Sequence, residues 1–350
     1  MIAAHHAIQR PARARMGVLA ADGAVRIEPR GALTSLFRSG DLLVINDAAT
    51  LPASLRGEHV ASGLFIEARL ASRLELDPAE PRRWVAVLLG AGTHRERTED
   101  RGAPPVVSPG DRLRFGELGA VIERVLDHPR LVELSLEGER ERVWRALLRE
   151  GRPIQYAYLR DELALWDSQT VIAGPPVAVE PPSAGFVLTF AMLAELRARG
   201  VEVATLTHAA GLSSTGDAAL DARLPLPEPY EIPARTAVLV RRAHRQRRRV
   251  IALGTTVARA LESASRAGRG VIAPGRAMAT LRLGSTEPAH AVDVLVTGVH
   301  ESGTSHHELL AALVPPDRRD ALTLAMEREG LRTHEFGDSC WVERASRTNA

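Results

Sequence analysis

The sequence predicts an α/β protein: a large domain built on a mixed or mostly parallel sheet, with a small β-barrel beside it. Three observations lead there. From about residue 170, strand-like and helix-like runs alternate, as in strand–helix–strand units. Between about 57 and 135, five or six short apolar runs are separated by Gly, Pro, Asp and charge, with no long helix, which suggests a small barrel. The length of 350 residues suits two domains, or one large domain carrying an insertion.

The elements follow in order. "GDLLVINDAATLPASLRG" (40–57) opens with a buried-type strand ending at Asn46-Asp47. "LFIEARLA", "RWVAVLLG", "DRLRFG", "AVIERVL" and "LVELSL" are the barrel runs. "SPGDRLRFG" (108–116) reads as a turn into an edge-type strand. "RERVWRALLREG" is a helix with Val143, Trp144, Leu147 and Leu148 on one face and Gly151 at its end. "TVIAG" (170–174) is strand-like. "LTFAMLAELRARG" is a helix ending at Gly200, and "VEVATLTH" is a strand ending in His208. The helix "ARTAVLVRRAHRQ" leads to the strand "RRVIALG" and then the helix "TTVARALESASRAG". "AVDVLVTGVH" is a strand ending in His300; "SHHELLAALV" and "DRRDALTLAMEREG" are helices. The tail "RASRTNA" has the composition of a disordered end.

Composition excludes several classes. All 45 residues counted as Lys or Arg are arginine, so there is no Schiff-base lysine and no P-loop lysine. No run approaches the roughly 20 apolar residues of a membrane span. The first 20 residues lack the apolar core of a secretory signal. A cytoplasmic protein without membrane contact is expected. The single cysteine, Cys340, excludes an internal disulfide and a Cys-based zinc cluster. His306-His307, near His300 and Glu308, matches no zinc spacing, so no metal is expected. A net charge of +2 gives no bulk polyelectrolyte surface. The run "RRAHRQRRR" (241–249) is either a solvated helix face or a grip on nucleic-acid phosphates.

Ligands of parallel sheets sit beyond the carboxyl ends of the strands. His208, the turn Gly254-Thr255-Thr256 and His300 each lie just past a strand and should converge on one rim. A glycine lets the backbone approach a ligand closely. The threonines add donors at a helix start, where a carboxylate, ribose hydroxyl or phosphate can be received. The same turn can equally be a plain helix cap.

"RVIALGTTVARALES" resembles "RVIAVGTTVVRTLES", a signature of the S-adenosylmethionine:tRNA ribosyltransferase-isomerases of queuosine biosynthesis. Other segments resemble that family's motifs in the same order. They are "GDLLVINDAATLPASLRG", "SPGDRLRFG", "SQTVIAG", "PPSAGFVLTFAMLAELRARGVEVATLTHAAGL", "EPYEI", "VDVLVTGVH" and "FGDSCWV". The resemblance implies an α/β domain (1–56 and 136–350) interrupted by an inserted six-stranded β-barrel (57–135). It implies S-adenosylmethionine as ribosyl donor, no metal, and tRNA as partner of a monomeric enzyme. The ribosyl group passes to the aminomethyl-deazaguanine at the tRNA wobble position and is isomerised, giving epoxyqueuosine with release of adenine and methionine. A proton beside the sulfonium is acidified by the positive charge and needs a positioned base.

The chain departs from the family pattern at several polar positions. Thr-Arg after Asn-Asp is Ala48-Ala49, two histidines are Val187 and Leu226, and a lysine is Gly303. The resemblance therefore also admits a divergent relative that uses S-adenosylmethionine with a small-molecule acceptor, or an RNA-binding one without catalysis. His208 and His300 are the candidate bases, each against a hydrogen-bonded core histidine. Asp338 and Asp47 are the candidate acids or ribose contacts, each against an Asx-turn. Asn46, Gln169, Thr170, Ala184, Gly185, Glu228, Tyr230, Gly254, Thr255, Thr256 and Arg259 are the candidate substrate contacts. Arg259 and Glu262, three apart on one helix, also suit an ion pair. Trp166 can stack on a base or pack in a core.

Overall fold

The structure, a computed structural model, describes residues 2–9, 11, 13–77 and 79–345. In chain order the principal strands are β1 (Arg15–Leu19), β2 (Val25–Pro29) and β3 (Leu42–Asn46), then the barrel strands β4 (Ser54–His59), β5 (Leu64–Arg73), β6 (Arg83–Leu89), β7 (Arg112–Phe115), β8 (Leu118–Val125) and β9 (Leu131–Leu136). The helix α1 (Arg140–Glu150) follows, then α2 (Phe190–Ala198), β10 (Glu202–His208), β11 (Glu228–Ile232), α3 (Ala234–Arg245), β12 (Val250–Leu253) and α4 (Thr255–Ala267). The chain finishes with β13 (Gly275–Ala279), β14 (Val294–Gly298), α5 (Pro316–Arg328) and β15 (Ser339–Glu343).

Nine strands form a mixed sheet in the order β13-β11-β10-β3-β12-β14-β15-β1-β2. Its centre, β10-β3-β12-β14, is parallel. The flanks are antiparallel except where β15 runs parallel to β1. The central strands are apolar along their length because both faces are covered. Alternate residues go to opposite sides. Leu42 and Val44 of β3 face the core built with α3, α4 and α5, while Leu43 and Ile45 face the core built with α2. Val250 and Ala252 against Ile251 and Leu253 repeat the pattern in β12.

The six barrel strands close in the order β8-β9-β6-β5-β4-β7, every pair antiparallel. Val143, Ala146 and Leu147 of α1 pack into the barrel core. On the face of β5 opposite Ile66 and Ala68, buried Glu67 pairs with Arg69 at 2.7 Å and Arg101 at 2.6 Å. Burial pushes the Glu67 carboxyl up, but the two guanidiniums outweigh it and hold it at about 2. The barrel touches the sheet domain through the end of β5: Ser72 Oγ donates to Pro227 O at 2.7 Å, and the Leu212 amide to Ala71 O at 3.1 Å.

Three sequence expectations are corrected. The strand in "SPGDRLRFG" is not an edge, because barrel closure pairs β7 on both sides. "TVIAG" is a turn rather than a strand; Gln169 and Thr170 are held by side-chain and packing contacts described below. Leu148 points outward at 60% exposure, since the barrel-facing stripe of α1 runs through Val143, Ala146 and Leu147. Residues 346–350 of the tail lie outside the described residues. Arg344, before them, is tied down by Asp293, and the Ala345 amide donates to Leu313 O at 3.0 Å.

Candidate functional site

The parallel centre brings the ends of β3, β10, β12 and β14 to one edge, so Asn46, His208, Gly254 and Gly298 lie together. Antiparallel β15 starts opposite Gly298, which delivers Asp338 there. Antiparallel β11 pairs Tyr230 with His208, which delivers Glu228 just beyond it. The convergence is a consequence of strand direction alone.

Asn46 ties the rim together. Its Oδ1 accepts the amides of His208 at 2.9 Å and Ala48 at 3.1 Å. Its Nδ2 donates to His208 O at 3.0 Å and Thr256 Oγ1 at 3.3 Å. The buried amide is thus satisfied on both atoms. Asp47, half-buried, accepts from Thr207 Oγ1 at 2.6 Å. Gly254, at φ 101°, turns the chain into α4 in a conformation that favours glycine. A side chain there would also meet the Ala184 methyl at 3.4 Å, so the short helix Ser183–Val187, with Ala184 and Gly185, lies over the turn. Thr255 is buried and Thr256 half-buried.

Beneath the rim sits a buried ionic group. His208 Nε2 is 2.8 Å from Glu228 Oε2. The Gly211 amide donates to Glu228 Oε1 at 2.6 Å, and the Arg259 guanidinium donates to Oε2. Burial pushes Glu228 up, but Arg259, His208 and the Gly211 amide outweigh it, leaving the carboxyl at about 2. An ionised Glu228 places the imidazole proton on Nε2. His208 Nδ1 is buried with no hydrogen-bond partner among the described residues, so its lone pair is spare.

The expected Arg259–Glu262 pair does not form. Arg259 instead serves Glu228 and donates to Leu281 O and Ala279 O, each at 3.1 Å. Glu262 turns to the backbone, where its Oε1 accepts the amides of His290, Ala291 and Val292 at 2.8–3.0 Å. Both side chains found their partners in tertiary structure rather than on one helix face.

His300 lies 3.3 Å from Thr297 Oγ1 and stacks on His306 with centroids 4.6 Å apart. Burial, with the neighbouring imidazoles, pushes its pKa well below the ordinary value. Burial also lowers His306, on which the charges of Glu335 and Glu228 both act in opposition. Burial thus favours the neutral form of His300. His307 turns away to Thr323 Oγ1 at 3.1 Å. Among the described residues no group of His, Cys, Asp or Glu is placed to hold a metal ion.

Asp338 is committed to the backbone: Oδ1 accepts the Arg15 amide at 2.6 Å and Oδ2 the Arg332 amide at 2.8 Å. Gln169 clamps Thr50, accepting its amide and donating to its carbonyl, both at 3.0 Å. Thr170 is buried, its methyl against Gly185. Tyr230 is core. Trp166, at 78% exposure, is not core. Where the family motif has polar groups, Ala48 and Val187 are packed in apolar clusters. The arginines of 241–249 lie at the other edge of the sheet, before β12, with Arg242 on Glu202 and Arg249 on Asp41 and Glu343.

Sequence reasoning missed Glu180, Glu335, Tyr156 and Tyr158, which gather beside the rim on the barrel side. No spacing or motif marks them, because they come from three separate loops. Glu335 borders a closed space of about 10 Å³ with Gln9, Ser183, Ala184, Gly298 and Asp338, room for about one water.

A protein-family model described as "Queuosine biosynthesis protein" matches residues 1–342. The chain is 34% identical over 319 residues to the S-adenosylmethionine:tRNA ribosyltransferase-isomerase of Gloeobacter violaceus, covering 89% of this chain and 84% of that one. To the protein of the same name from Geobacter sulfurreducens it is 33% identical over 356 residues, covering 98% and 96%. The crystal structure of an S-adenosylmethionine tRNA ribosyltransferase from Thermotoga maritima shares the fold, with a TM-score of 0.51 at 20% identity over 98% of this chain and 96% of that one.

Proposed function

The chain belongs to the queuosine biosynthesis protein family, and on that footing we propose that it is an S-adenosylmethionine:tRNA ribosyltransferase-isomerase. It moves the ribosyl group of S-adenosylmethionine to the aminomethyl-deazaguanine of tRNA and isomerises it, releasing adenine and methionine. The observation that carries this reading is likeness over nearly the whole chain, barrel and sheet domain together, to enzymes named for that reaction. Geometry supports it through one dyad. His208, oriented by Glu228 at 2.8 Å, keeps a spare Nδ1 lone pair and serves as the base for the proton beside the sulfonium. The Gly254–Thr256 turn receives ribosyl hydroxyls at the start of α4. Thr170, Ala184, Gly185 and Asp47 line the site; Asn46, Gln169, Tyr230 and Arg259 hold its walls. The protein works as a cytoplasmic monomer, where tRNA is; no described helix is long and apolar enough to cross a membrane.

The test is incubation with S-adenosylmethionine and tRNA carrying the aminomethyl-deazaguanine, reading adenine by chromatography and the tRNA by mass spectrometry. Adenine release with a matching tRNA mass gain supports the reading. The apolar packing of Ala48 and Val187 favours a second reading, a relative with a small-molecule acceptor. Adenine release without tRNA would select that one, and tRNA binding without adenine release would select a non-catalytic relative.

A further inference from the structure

Beside the rim, buried Glu180 and half-buried Glu335, Tyr156 and Tyr158 share one corner. Glu180 is 8% exposed and takes a hydrogen bond from Ser213. Glu335 faces it closely enough for its charge to act on Glu180, and the Tyr158 hydroxyl donates to Glu335 Oε2. Tyr156 stacks on Tyr158 with centroids 5.4 Å apart, and Tyr158 stacks on His334 at 4.4 Å. The Tyr156 hydroxyl, on which the charges of Glu180 and Glu335 act, is buried with no partner among the described residues.

The surrounding charges do not neutralise the pair. Arg69 reaches it from the barrel but is bonded to Glu67 at 2.7 Å. His306 faces Glu335 and is kept neutral by burial. His334 lies 3.6 Å from Glu301. Arg30 borders the same small space as Glu335. No ion pair within 4.0 Å joins Glu180 or Glu335 to a cation among the described residues. Beside the charge of half-buried Glu335, a charge on buried Glu180 is costly. Burial first, then Glu335, accordingly pushes Glu180 up to about 8. A carboxyl pair with no cation bonded to it among the described residues supplies the opposite charge that a desolvated organic cation requires.

We propose that the corner formed by Glu180, Glu335, Tyr156 and Tyr158 is the subsite for the sulfonium of S-adenosylmethionine. The assignment rests on the ribosyl-donor reading above. Ala184 connects the two halves: it abuts Gly254 on one side and lines the space shared with Glu335 on the other. A nucleoside on the Gly254–Thr256 turn thus has the carboxyl pair as its neighbour. Entry of the cation ionises Glu180, and the proton it held leaves to solvent. Binding is therefore linked to the loss of one proton below about pH 8.

The test is isothermal titration calorimetry with S-adenosylmethionine and, separately, its neutral thioether S-adenosylhomocysteine. Buffers of different ionisation enthalpy are used at about pH 6.5, where the α-amino group of either ligand stays protonated. The expected result is release of close to one proton with the sulfonium and close to none with the thioether. Sulfonium affinity should rise about tenfold per pH unit below pH 8, and Glu180→Gln should make it flat. Equal proton counts for the two ligands overturn the subsite, as does a slope that persists in Glu180→Gln. The ligand comparison needs only the unaltered protein, so a misfolded variant does not decide it. If neither ligand binds, the ribosyl-donor reading fails and takes the subsite with it; binding without differential proton release removes the subsite alone.

Discussion

His208 and Glu228 meet at 2.8 Å with the imidazole wholly buried and the carboxylate 4% exposed. Their strands are antiparallel neighbours, and the pairing of Tyr230 with His208 sets Glu228 two residues past the ladder. Gly211 and Arg259 complete the shell around the carboxylate. One carboxylate therefore anchors a helix, a loop and the imidazole proposed as base.

Removing that charge strands Arg259. Glu228→Gln is expected to cost about 3 kcal/mol, the usual penalty for breaking a buried pair from one side. Urea titration of both proteins measures it. A loss below about 1 kcal/mol would mean that water or a rearranged loop replaces the carboxylate.

His208→Gln tests the base. Turnover, read as adenine release at saturating S-adenosylmethionine and tRNA, should fall at least about 100-fold. Donor affinity by calorimetry should stay within about threefold. Equal losses in binding and turnover would assign His208 a purely structural role.

Asp338→Asn should behave oppositely. Both oxygens hold backbone amides, so the change costs about 1–3 kcal/mol of stability. Turnover per folded molecule should hold to within about threefold. A turnover loss comparable to that of His208→Gln would return Asp338 to the chemistry.

Stability should fall on both sides of about pH 4.5. Glu228 and Glu67 are held at about 2 against an ordinary 4.5. Their depressed values give stability that is present above about pH 4.5 and lost as pH falls through 2. Glu180 is raised to about 8. Its contribution is present below pH 4.5 and lost as pH rises through 8. Melting temperature against pH should therefore fall below about pH 4.5 and fall again between about pH 4.5 and 8, with the second decline flattened in Glu180→Gln.

The arginines exposed before β12 should not matter to tRNA. Arg245, Arg247 and Arg248 sit at the edge opposite the rim. Triple replacement by alanine should change tRNA affinity by less than about threefold at 0.15 M salt. A drop of tenfold or more, with a shallower salt slope, would place phosphates there.

The architecture and the rim were readable from sequence because they depend on local pattern and strand direction. Alternating apolar runs set the strands, and the strand-end positions of Asn46, His208, Gly254 and His300 follow from connectivity once the central strands are parallel. The side-chain partners were not readable. Spacing on α4 suggested an Arg259–Glu262 pair, yet β11 brought Glu228 to Arg259 and the loop at 290–292 brought three amides to Glu262. Tertiary structure alone decided that Asp338 spends itself on backbone amides and that His300 is neutral. It also decided that Glu180 and Glu335, 155 positions apart in the sequence, share one corner. Burial and pairing are properties of neighbours in space, and a chain that folds loops from distant segments together leaves no periodic trace of them.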